Sequence, residues 1–123
     1  MSNPIKINER PLGKIQIFIK PKDKLKEDSL IRRLLPKQIY REIVKNARQD
    51  GLMMASVYQS HSGFALNDKI RVAHPEYDNA DLALCVELMD EKHKLEAFCL
   101  KNVALLKGRM IIYKAVEFWE ING

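Results

Sequence analysis

The chain has 123 residues, 46% of them hydrophobic and 30% charged, with a formal net charge of +5. That length fits one domain, and the composition supplies both a core and a solvated surface, which excludes an intrinsically disordered chain. Apolar runs such as LALCVELM and MII fall well short of the roughly 18 to 20 residues that a membrane-spanning helix requires.

The opening MSNPIKINERPLG has neither a continuous apolar stretch nor a small-residue cleavage pattern, so a cytoplasmic protein is expected. Cys85 and Cys99 lack CxxC spacing and read as small hydrophobes in a reducing compartment. Residues 1–50 carry 13 Lys and Arg against 6 Asp and Glu, whereas residues 51–123 carry 8 against 10. Much of the excess lies in KPKDKLKEDSLIRR, where interleaved acids indicate a solvated face more than a track for phosphates.

In chain order, residues 1–13 read as an N-terminal extension and 14–123 as the single domain. KIQIFIK alternates Ile15, Ile17 and Ile19 with Gln16, Phe18 and Lys20, the pattern of a first strand. The segment 21–36 is dense in charge, with Leu30, Ile31, Leu34 and Leu35 suggesting a short helical turn closed by Pro36. From Pro36, the residues Ile39, Tyr40, Ile43, Val44 and Ala47 recur at helical spacing, and Gly51 supplies the stop. MMASVYQ predicts a second strand with Met53, Ala55 and Val57 on one face. LALCVELM predicts a third, apolar on both sides and central. Asp90 ends it as a cap for a helix from about Glu91 to Lys107, whose apolar side would be Leu95, Phe98, Cys99, Val103 and Leu106. RMIIYKAVEFWEI supplies the fourth strand.

The order β-α-β-β-α-β predicts an α+β, ferredoxin-like sandwich: a four-stranded antiparallel sheet with two helices on one face. The other face stays uncovered. It would hold Phe18, Tyr58, Cys85, Met89, Ile111, Tyr113 and Trp119 on one assignment of the pleat, or the Ile15 and Leu84 set on the other. Either patch exceeds what a soluble monomer usually exposes, so self-association is expected.

The connection from Gln59 to Ala80 is long enough to be functional or mobile. Within it, QSHSGF offers Gly63, which permits positive φ and close approach of backbone N–H groups to an anion; the same residues suit an ordinary turn. Lys69 and Arg71 project to one side of an extended strand, where they would grip a phosphate or merely solvate an edge. Lys107, Gly108 and Arg109 read equally as an anion-contacting loop and as a helix stop flanked by bases that complement the helix dipole. His61, His74 and His93 are too scattered for a metal site. No GxSxG or other nucleophile motif is present, so no catalytic residues are assigned.

The runs IYREIVKNARQDGLMMASVYQSHSGF, DLALCVELMDEKHKLEAF and GRMIIYKAVEF, with Lys69 and Ile70 between them, resemble the conserved core of the domain of unknown function 190 family, whose members look like PII signalling proteins. The resemblance covers about residues 14 to 119. It implies a PII-like homotrimer that binds adenine nucleotide (AMP, ADP or ATP) in clefts between subunits and signals through the loop 59–80. It also implies no enzymatic activity, no required cofactor and no nucleic acid, with a membrane channel or transporter as regulated partner. Carried onto this chain, it marks Gly63, Phe64, Lys69, Arg71, Lys107 and Arg109 as candidate nucleotide-binding residues. The sequence departs from the family pattern at Ala65, Arg71, Val72 and Arg109, where Gly, His, Thr and Gly are usual.

Two other readings stand beside this one. The fold order and basic charge also suit an RNA-binding ferredoxin-like domain, although LALCVELM has no aromatic residue for base stacking. A small enzyme with its site at a subunit boundary would need a clustered acid, base or nucleophile, which the sequence does not display.

Overall fold

The structure is a computed structural model, and it describes residues 6–20, 36–59, 62–63, 70–72 and 83–122. Its strands and helices follow in the order β1 (Lys6–Ile19), α1 (Pro36–Gln49), β2 (Met54–Gln59), β3 (Ser62–Gly63), β4 (Arg71–Val72), β5 (Leu84–Asp90), α2 (Lys92–Lys101), α3 (Val103–Leu106) and β6 (Ile111–Asn122). The helical turn expected from Leu30 to Leu35 lies outside the described residues.

Four strands form one antiparallel sheet in the order β2-β5-β1-β6, and β3 and β4 form a separate pair. This is the expected ferredoxin-like arrangement. Helix α1 packs over β2 and β5, and α2 over β1 and β5. Ile15, Ile17 and Ile19 of β1 and Leu84, Val86 and Leu88 of β5 meet Ile39, Ile43 and Ala47 of α1 and Leu95 and Phe98 of α2 in one buried core. Period-2 strands facing period-3.6 helices produce this layer directly. Positive-φ Gly51 and Gly108 follow α1 and α3, as a glycine helix stop requires.

Several boundaries differ from the sequence reading. Strand β1 begins at Lys6 rather than Lys14, and residues 6–12 pair with β6 from Val116 to Asn122. Pro11 is accommodated because β5 ends opposite Gly13, so that side of the strand needs no donor there. Met53 precedes β2 instead of opening it; its N–H donates to Asp90 Oδ2 at 3.0 Å. Asp90 is the last residue of β5 and is buried, and its second oxygen accepts from Glu91 N–H at 2.7 Å. The cap position of α2 is Glu91, and no side chain bonds there.

The expected helix from Glu91 to Lys107 is broken at Asn102. Asn102 Nδ2 donates to Phe98 O at 2.8 Å, and Asn102 Oδ1 accepts from Asn46 Nδ2 of α1 at 2.8 Å. This buried side chain therefore ties both helices together while interrupting one of them. Leu105 and Leu106 are buried, but Val103, expected on the apolar side, is 47% exposed.

Candidate functional site

All four strands of the main sheet have an end at one place: Gln59 pairs with Leu84, Leu84 with Ile19, and Ile17 with Ile111. The segment between β2 and β5 leaves and returns at this end. The helix-to-strand loop from Lys107 to Met110 arrives there too, held by Phe18 N–H donating to Met110 O at 3.0 Å. The two loops lie on opposite sheet edges, since β2 and β6 are separated by β5 and β1. Three strand spacings amount to about 14 Å.

Of the candidate residues, Gly63 and Arg71 face each other as backbone partners in the β3–β4 pair. Phe64 and Lys69 lie outside the described residues, as do His61 and His74. On the other edge Lys107 is exposed and Arg109 half-buried. Arg109 folds back on the helix that precedes it: its Nε donates to Leu105 O at 2.7 Å, and its N–H to Leu106 O at 3.1 Å. A cation thus satisfies a terminal helix carbonyl, the dipole-complementing role. One subunit pairs Gly63 with Arg71 in β3–β4 and sets Lys107 and Arg109 in the loop before β6.

The sheet face opposite the helices is the larger feature. Phe18, Cys85 and Met89 are half-buried on it, Tyr58 is 54% exposed and Met54 is 44% exposed. The pleat assigns the Ile15 and Leu84 set to the helix side. Ile111 and Tyr113 also belong to that side, because they pair with Ile17 and Ile15, and by alternation Trp119 follows them. This corrects their grouping with Phe18.

At the centre of the open face is a polar cluster that sequence reasoning missed. Gln16 Nε2 donates to Glu87 Oε1 at 2.8 Å, and Lys14 Nζ lies 3.7 Å from the same oxygen. Each residue is visible as a polar member of an alternating strand, but only the register makes them neighbours. Burial pushes the Cys85 thiol up from its ordinary pKa, Glu87 adds to the rise, and Lys14 opposes it. No group of three or more metal-ligating side chains occurs among the described residues, and no helix there is long and apolar enough to cross a membrane.

Solved structures share this architecture. CPII from Thiomonas intermedia K12, a nitrogen regulatory PII-like protein bound to ADP, AMP and bicarbonate, superposes with a TM-score of 0.59 at 8% identity over 90% of this chain and 91% of that one. Its apo form gives a TM-score of 0.59 at 8% identity, covering 94% and 99%. A PII-like signalling protein from Thermus thermophilus gives 0.52 at 8% identity, covering 92% of each chain. The fold is therefore PII-like. The profile of the DUF190 family, described as uncharacterized ACR, matches residues 12–118, and the chain belongs to that family. No curated protein matches the sequence.

Proposed function

We propose that this chain is a PII-like regulatory protein: a homotrimer, cytoplasmic and without catalytic activity, that binds AMP, ADP or ATP between subunits and reports occupancy through the segment 59–80. The observation that carries the reading is the open sheet face. A layer with Phe18, Tyr58, Met54 and Met89 on its water side is stabilised when another subunit covers it. Association also offers a way to bring the β3–β4 residues of one subunit beside the Lys107–Arg109 loop of another. CPII, of the same fold, binds ADP and AMP, which supports an adenine nucleotide as the ligand class here.

The relay requires that ligand favour one loop conformation over another, because equal affinity for both shifts no population. A membrane channel or transporter is the proposed listener. RNA binding is disfavoured by the central strand β5, which presents Cys85, Glu87 and Met89 to the open face in place of stacking aromatics.

Calorimetric titration with AMP, ADP and ATP tests the reading. Binding by the parent chain should weaken about tenfold in Lys107→Ala, through loss of a charge-assisted bond to phosphate. Absence of binding at millimolar nucleotide would overturn it.

A further inference from the structure

The pairing of β1 with β6 outlasts the sheet. Strand β5 ends at Asp90, opposite Gly13, whereas β1 and β6 stay paired as far as Lys6 and Asn122. Residues 6–12 and 116–122 therefore form a two-stranded arm beyond the end of β5. Of this arm, residues 6–11 and 119–122 lie outside the 12–118 match to the family profile, so the arm adds to the part that the chain shares with the family.

One edge of the arm is open. The register of β1 with β6 runs without a bulge, and in that register Phe18 N–H donates to Met110 O at 3.0 Å. Backbone groups turn to alternate sides along a strand. The even-numbered residues of β1 thus bond to β6, and the odd-numbered ones face β5. Past the end of β5, Ile7 and Glu9 direct their N–H and C=O groups to a side where no described strand lies. Pro11, which has no N–H, separates this stretch from the part that β5 covers.

The side chains beside the edge define what it takes. Ile7, Glu9 and Pro11 share a face with their register partners Ile121, Trp119 and Glu117. Ile7 is 52% exposed, Trp119 59% and Ile121 73%. Trp119 Nε1 donates to Glu117 Oε2 at 3.2 Å. This face carries two acids and no base, in a chain whose net charge is +5. Arg10 belongs to the other face, and its Nη2 lies 3.7 Å from Glu91 Oε1.

We infer that the arm binds an extended, basic segment of a partner protein by strand addition. A segment laid along Ile7 and Glu9 makes four main-chain hydrogen bonds, and every second side chain of it falls on the face just described. Apolar side chains there pack on Ile7 and reach Trp119 across β1, while Lys or Arg meets Glu9. The site needs neither nucleotide nor a second subunit.

Residue-resolved hydrogen exchange on the full-length chain tests it. The probe is an eight-residue peptide in which Val and Lys take turns at the odd positions and Thr fills the even ones; the control has Glu for Lys. Without peptide, the amides of Ile7 and Glu9 should exchange fast and those of Asn8 and Arg10 slowly. The Lys peptide should slow Ile7 and Glu9 as well, and the Glu peptide should not. Fluorescence anisotropy of the labelled Lys peptide should show binding about tenfold weaker in Trp119→Ala and about fivefold weaker in Glu9→Lys. Slow exchange of Ile7 and Glu9 without any peptide would mean that another copy of the chain already covers the edge, and would overturn the inference. Amides left unchanged by the Lys peptide at millimolar concentration, or equal binding of both peptides, would overturn it too.

Discussion

Gln16 Nε2 donates a 2.8 Å hydrogen bond to Glu87 Oε1 across the β1–β5 pair, at the centre of the sheet face that no helix covers. Lys14 approaches the same oxygen, and Phe18, Cys85 and Met89 surround the group. Exposed, such an ion pair contributes little; covered by another subunit, it becomes a desolvated network whose members depend on one another.

The first prediction follows from that difference. Glu87→Ala should weaken self-association by about 2 kcal/mol, roughly 30-fold, by leaving the Lys14 ammonium uncompensated in the interface. Adding Lys14→Met should recover most of the loss. Sedimentation equilibrium reads both, and equal association by the parent and Glu87→Ala would exclude this face from the interface.

Asn102 should matter to folding more than its position near a helix end suggests. Asn102→Ala removes the bond to Phe98 O and strands the Asn46 amide, at a cost of about 1 to 3 kcal/mol. The urea midpoint should fall with the slope unchanged. A change below about 0.5 kcal/mol would show that water replaces these bonds freely.

The contrast between the core and Asn102 marks what the sequence discloses. Ile15, Ile17 and Ile19 announce their strand, and Ile39, Ile43 and Ala47 their helix, because each set repeats at the period of its own element. The break at Asn102 is invisible to such patterns: asparagine is tolerated within helices, and its partner Asn46 is distant in sequence. The start of β1 is hidden by Arg10 and Pro11, residues that disfavour a strand unless one side of it is open. The polar cluster on the open face depends on register, which pairs Gln16 with Glu87. The candidate residues at Gly63, Arg71, Lys107 and Arg109 are legible as loop chemistry, but the pairing of Gly63 with Arg71 depends on register.

Gly13 is held to its size by the helix layer. A Cβ there would come within 2.5 Å of Tyr113 Cε2 and 3.1 Å of Leu95 Cδ1. Tyr113 can swing outward, at the expense of its contact with Lys92, whose Nζ lies 5.4 Å from the ring centroid; Leu95 is buried and cannot. Gly13→Ala should cost about 1 to 2 kcal/mol by overpacking, with part of the loss relieved in Gly13→Ala/Tyr113→Ala. Thermal unfolding of the four proteins in the cycle measures the coupling, and strict additivity would contradict it.

The cysteines should be slow nucleophiles. Burial raises the thiol pKa at both Cys85 and Cys99, with Glu87 adding to the rise at the first and Glu96 at the second. Since only the thiolate attacks, alkylation near neutral pH should lag behind that of a free thiol and catch up as the pH rises. Glu87→Gln should speed modification of Cys85 and leave Cys99 unchanged. Faster alkylation of Cys85 than of a model thiol at pH of about 7.5 would contradict the assigned environment.

Native mass spectrometry of the purified chain, with and without ADP, bears most directly on the central claim of a nucleotide-binding PII-like assembly. The expected result is a species of three times 14.3 kDa, with further peaks spaced by the mass of ADP when nucleotide is added. A 14.3 kDa species alone, unchanged by ADP at micromolar protein and millimolar nucleotide, would contradict it.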